Sequence, residues 1–249
     1  MIEVYTLWLR QIKRYYRSKS RIVGSLGQPL LFMLALGFGF GPIFQKAGAG
    51  NYMQFLVPGI ISMSILFMAF SSGIEVIWDR QFGFLKETLV APASHFQIML
   101  GKTLGGATVA VLQGFIVFLL SFFVGFRPPD AAMLALAFVF MFLIALLFAA
   151  LGIAIASVLE DMHGFQLIMN FLVMPIFFLS GALFPISSSL PKAITIITAV
   201  DPLSYGVDGL RGTLASASHY GLFPDFLILI CICAVLIAIG SYLFSKIQV

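Results

Sequence analysis

Polar residues interrupt this chain rarely and in blocks, leaving apolar runs at about 22 to 44, 55 to 77, 103 to 126, 131 to 157, 165 to 184 and 224 to 244. Each run is close to the roughly 20 residues a helix needs to cross the hydrocarbon core. The pattern predicts six membrane spans in a single domain covering 1–249. Ahead of the first span, residues 1–21 place Met1, Tyr5, Trp8, Leu9, Ile12 and Tyr16 on one face of a helix. Arg10, Lys13, Arg14 and Arg17 fall largely on the other. That is the pattern of an interfacial helix. The apolar run behind it is too long for a signal peptide and carries no convincing small-x-small cleavage pattern, so it is expected to be retained.

Between spans two and three lies a charged island, Glu75 to Gly105. At about 100° per residue it puts Trp78, Phe82, Leu85 and Leu89 on one stripe, which can lie on the membrane domain. Arg80, Phe84, Glu87 and Thr88 gather on the opposite face, where the Phe84 ring has no core to join. Pro92 ends such a helix, and Ser94-His-Phe-Gln97 has the form of a capping box for the next. The spacing predicts a short amphipathic helix, a break and a helix that re-enters the membrane. Any polytopic protein needs charged loops, so amphipathicity alone also fits a plain surface helix.

The segment from 185 to 223 is apolar but broken. The piece after Pro191 has about nine residues before Asp201, roughly 14 Å of helix, less than half the hydrocarbon thickness. Asp201-Pro202 reads as an N-cap followed by proline at the first helical position. Asp208 and Arg211 stand at i, i+3, where they can pair. Two short helices that do not span are predicted. Gly206, Gly209 and Gly212 fit either a close backbone approach or a loose loop.

Composition agrees with the pattern: 61% of the 249 residues are hydrophobic and 10% charged, against about 45 to 50% and 25% in soluble domains. The formal net charge is +4, and its basic residues concentrate beside the first span, a topology signal and not a nucleic-acid surface. With both termini on one side, ten Lys and Arg residues fall there and four fall opposite (Lys46, Arg127, Lys192 and Arg211). The positive-inside rule then places both termini in the cytoplasm. Cys231 and Cys233, two apart on a helix, cannot bridge each other.

The island carries a more specific pattern. Asp79-Arg80-x-x-Gly83-x-x-x-Glu87-x-Leu89-x-x-Pro92-x-Ser94, followed by Gly101-Lys102, resembles the loop of type-two ATP-binding-cassette export permeases, in the branch of drug-resistance and nodulation-factor exporters. Val57-Pro58-Gly59-Ile60 resembles the same family. So does the order of Pro185, Pro191, Asp201, Pro202, Tyr205, Asp208 and Arg211, which matches outer re-entrant helices that close the pathway. The likeness covers nearly the whole chain. It implies a coupling role toward a separate ATPase for Asp79, Arg80, Gly83, Phe84, Glu87, Thr88 and Pro92. It also implies a partnership with two copies of a cytoplasmic ATPase subunit that hold the ATP and Mg, and pairing with a second permease subunit, expected as a homodimer. The setting implied is the plasma membrane of a prokaryote, among membrane lipid.

No enzyme constellation is legible. Gly101-Lys102-Thr103 lacks the glycine that a phosphate-binding loop needs five residues earlier, since position 96 is Phe. His95, His163 and His219 are far apart. No span carries an ionisable group near its middle, which argues against ion-driven transport. Glu75, the nearest case, fits either a proton relay or a snorkelling or capping role. Gln28, Gln113 and Asn170 fit either interhelical hydrogen bonding or contact with a substrate, with Gln28 and Asn170 the pathway candidates. The reading is an all-α permease, without cofactor of its own, that exports an amphipathic drug, lipid or glycolipid. Polysaccharide export and a secondary transporter stand as alternatives.

Overall fold

The computed structural model describes residues 2–46, 51–84, 94–185 and 191–246. Among them every regular element is helical, and six helical stretches are long and apolar enough to cross a membrane. In chain order the helices are α1 (Ile2–Arg17), α2 (Lys19–Lys46), α3 (Tyr52–Phe70), α4 (Ser72–Gln81), α5 (His95–Ser121), α6 (Leu134–Val158), α7 (Met162–Ile168), α8 (Met174–Leu179), α9 (Lys192–Val200), α10 (Pro202–Ala215) and α11 (Leu222–Ser245). The spans are α2, α3 running on into α4, α5 with a closing 3-10 turn, α6, α7 joined to α8 through a π-turn at Met169–Val173, and α11.

Sixteen of the 19 residues of α3 are buried, which makes it the central helix, with α2, α5, α6 and α10 packed round it. Where α3 passes into α4, small residues let backbones touch. A Cβ on Gly73 would stand 2.3 Å from the Gly152 carbonyl oxygen of α6, and one on Gly152 would stand 2.3 Å from that of Phe70. Association in lipid depends on such close packing because burial from water supplies no drive there.

Helix α1 packs on the bundle by a stripe distinct from its apolar face. Gln11 and Tyr15 are buried there, with Leu7 partly buried beside them, running parallel to the first half of α5. Trp8 Nε1–H donates to Thr108 Oγ1 at 3.0 Å and the Tyr15 hydroxyl donates to Gln113 Oε1 at 2.8 Å. Tyr5 and Tyr16, from the expected membrane face, remain exposed. The helix thus has three faces, one for the bundle, one apolar and outward, and one basic.

Helix α5 starts as its sequence predicts. Ser94 Oγ accepts from the Gln97 N–H, and Gln97 Oε1 accepts from the Ser94 N–H. The broken segment also forms two short helices, α9 and α10, and Asp201 between them caps α10 by accepting from the Leu203 N–H at 2.9 Å. Gly206 and Gly209 sit in α10 and face side chains, Ile144 and Phe140 of α6, not another backbone.

Candidate functional site

One end of the bundle gathers α1, the end of α4, the start of α5 and the residues after α6, and there the charges meet. Asp79, 4% exposed, accepts from Arg10 Nη2 at 2.8 Å and Nη1 at 3.3 Å, and also from Lys102 Nζ. Lys102 is 2% exposed. One carboxylate therefore ties three helices, α4 to α1 and to α5. A turn earlier, Glu75 pairs with Arg21 of α2 at 2.9 Å. On the surface Arg80 pairs with Glu160 at 3.0 Å.

This arrangement corrects one expectation and places another residue. Asp79, one of the residues with an implied coupling role, points into the bundle, because Arg10 and Lys102 are the cations that make its burial tolerable. The expected amphipathic helix does not continue from Trp78 through Phe82. Helix α4 ends at Gln81, the Phe82 N–H bonds to the Trp78 carbonyl and the Gly83 N–H to that of Arg80, and Gly83 takes φ +80°. A glycine in the left-handed region is a common helix stop. Phe82, expected on the seated stripe, is therefore 74% exposed. Leu85, Glu87, Thr88, Leu89 and Pro92 lie outside the described residues.

Beyond the stop, half-exposed Phe84 stacks with the Arg10 guanidinium at 5.4 Å. Arg14 lies over Trp78 at 5.0 Å, and Trp78 Nε1–H points at Met162 Sδ, 2.7 Å away. Lys13, Arg14 and Arg17 join Trp78, Phe82 and Phe84 round an open cleft of about 650 Å³. Arg10, which the motif did not mark, is the residue on which the carboxylate and the ring converge. A basic residue one stripe away from the apolar face of α1 was its only trace in the sequence.

At the opposite end the residues expected to close the pathway hold one another by different contacts than expected. Asp208 and Arg211 form no direct pair. Asp208 accepts from the Ser218 hydroxyl and from the His219 and Tyr220 N–H groups, closing the turn after α10. Arg211 donates to the Gly181 carbonyl at 3.0 Å and lies 3.8 Å over the Phe55 ring. Burial draws Arg211 down to about 10, still protonated at neutral pH. The Tyr205 hydroxyl donates to the Ala199 carbonyl at 2.6 Å, joining α9 to α10. Pro191 precedes α9, Pro202 opens α10, and Pro185 is exposed. Burial pushes the Asp201 carboxyl up to about 7. Asp225, fully buried in the first turn of α11, was not singled out from the sequence.

The two pathway candidates are not brought together. Gln28 lines a pocket between α2 and α3, whereas Asn170 is exposed on the π-turn between α7 and α8.

A bundle of six apolar helices with short helices at one end and a buried charge cluster at the other is a multi-pass membrane protein. Residues 2–215 match the family model described as ABC-2 type transporter, and the chain belongs to that family. It is similar to the transport permease ycf38 of Cyanophora paradoxa, with 30% identity over 84% of this chain and 73% of the relative. It is also similar to Nodulation protein J of Rhizobium leguminosarum bv. viciae, 27% identical over 83% and 82%. The inner membrane transport permease YadH of Escherichia coli K12 is 25% identical over 92% and 89%. The chain is a transport permease, and its family implies an ABC ATPase subunit as partner.

Proposed function

We propose that this chain is the membrane subunit of an ATP-driven exporter of an amphipathic substrate. Two cytoplasmic ATPase subunits would supply the ATP and Mg chemistry, and a second copy of the chain would complete the permease in the plasma membrane of a prokaryote. The supporting observation is the junction at Asp79. Exposed Phe82 and half-exposed Phe84 stand past the end of α4, while Asp79 in its last turn is locked to α1 and α5. A push on Phe82 and Phe84 therefore reaches α4 and, through Asp79, two further helices. Phe84, Glu87 and Thr88 are the proposed contacts with the ATPase.

An aromatic anchor at an interface commonly costs about 2 kcal/mol or more on truncation, roughly thirty-fold in affinity. Phe84→Ala should leave the permease inserted and folded, weaken its retention of the ATPase on co-purification, and abolish substrate-stimulated hydrolysis. Wild-type retention and export by Phe84→Ala and Glu87→Ala proteins would sink the coupling role.

A further inference from the structure

A pocket of about 190 Å³ lies between α2, α3 and α5, lined by residues other than those of the charged cleft, and its chemistry is that of a binding site. Arg21, Ser25, Gln28, Ser64, Ser71 and Gln113 supply its polar lining, and Met63, Phe67 and Met68 supply much of the rest. Gln113 is 1% exposed. Its Oε1 is taken by the Tyr15 hydroxyl, but its Nε2 finds no partner, and neither does the hydroxyl of Ser64, 5% exposed. Polar side chains that serve only to join helices satisfy each other across the seam, because an unmade bond there costs the desolvation of the group. These two are buried, unpaired and on the wall of a pocket with room for about six waters at roughly 30 Å³ each.

The charge balance narrows the occupant. Among the described residues Arg21 is the one cation on the lining, and Glu75 already neutralises it at 2.9 Å, so an anionic head would gain little. The hydroxyls of Ser25 and Ser71 donate to the Ile22 and Phe67 carbonyls and keep their lone pairs for a ligand, while Gln113 and Ser64 offer donors. A group that both accepts and donates, without charge, satisfies both sets. We infer that this pocket binds the uncharged, hydroxyl-bearing head of a membrane amphiphile, with Gln113 and Ser64 as its hydrogen-bonding contacts. The inference goes beyond the exporter reading and does not need it. A transported amphiphile and a resident lipid share this chemistry.

The test uses the full chain in phosphatidylcholine nanodiscs, with Cys231→Ser and Cys233→Ala, and a single reporter, Ser25→Cys, labelled with bromobimane. Three amphiphiles with the same 18-carbon tail are added: monooleoylglycerol, oleate and oleylamine. Monooleoylglycerol should slow labelling about tenfold, as filling roughly nine-tenths of the pocket requires, with oleate and oleylamine near the rate of the untreated protein. The double variant Tyr15→Phe/Gln113→Leu removes both ends of one hydrogen bond, the substitution least damaging to a buried pair. It should insert normally and lose the protection. Equal protection by all three heads, protection by oleate alone, no protection, or protection that survives the double variant would each overturn the inference. Adding the ATPase partner and ATP identifies the source: protection relieved by ATP marks cargo, and protection unchanged marks a resident lipid. The labelling itself needs no ATPase, so a failed pocket and a failed exporter reading are told apart.

Discussion

Asp79 holds two cations, one of them even more buried than itself, so its removal does more than delete attraction. Asp79→Ala leaves Lys102 charged with no counter-ion, and breaking a buried pair on one side typically costs about 3–5 kcal/mol. The thermal unfolding temperature of the detergent-solubilised permease should therefore drop steeply in Asp79→Ala. It should recover at least half of that loss in Asp79→Ala/Lys102→Met, where the stranded ammonium is gone. Additive losses in the double variant would show that the two residues act separately. The orientation of Asp79 was hidden in the sequence because its partners stand 69 and 23 residues away. No local periodicity reports a contact of that range. Gly83 stands in the sequence as a motif position, and only its left-handed backbone marks it as a helix stop.

Elements were far more legible than contacts. The six spans follow from run length, and α9 and α10 follow from Pro191 and Asp201-Pro202, because proline and N-cap chemistry act within a few residues. The face of α1 did not follow, because its buried stripe is partly polar. Gln11 and Tyr15 become core only where α5 offers Gly105 and Gln113. The junction of α9 and α10 carries a pH signature. Burial raises Asp201 from 3.8 to about 7, so the folded chain holds a proton that the unfolded chain releases. The resulting stabilisation is full below about pH 4 and lost as pH rises through about 7. Asp201→Asn keeps an oxygen for the Leu203 N–H and carries no titrating proton. Its unfolding temperature should fall less than the wild type's over that pH range. Parallel pH profiles would show that Asp201 stays ionised throughout.

At the scale of the molecule, charge asymmetry sets the proposed orientation, with α1 and the Asp79 cluster in the cytoplasm and α9 and α10 outside. In a cysteine-free background, Ser20→Cys should react with an impermeant thiol reagent only after lysis, and exposed Ala217→Cys should react in intact cells. The opposite result would invert the molecule. Helices α2 and α7–α8 both touch α3 and leave large apolar side chains uncovered, Leu31, Phe38 and Phe171 among them, a surface open to lipid or to the proposed second copy. The ends also differ optically. The chain has two tryptophans, and both stand near α1, Trp8 on Thr108 and Trp78 between Arg14 and the Met162 sulfur. Tryptophan emission, excited selectively over the seven tyrosines, therefore comes from the end where the ATPase would dock and is blind to the other, so titration with the partner can be followed without adding a dye.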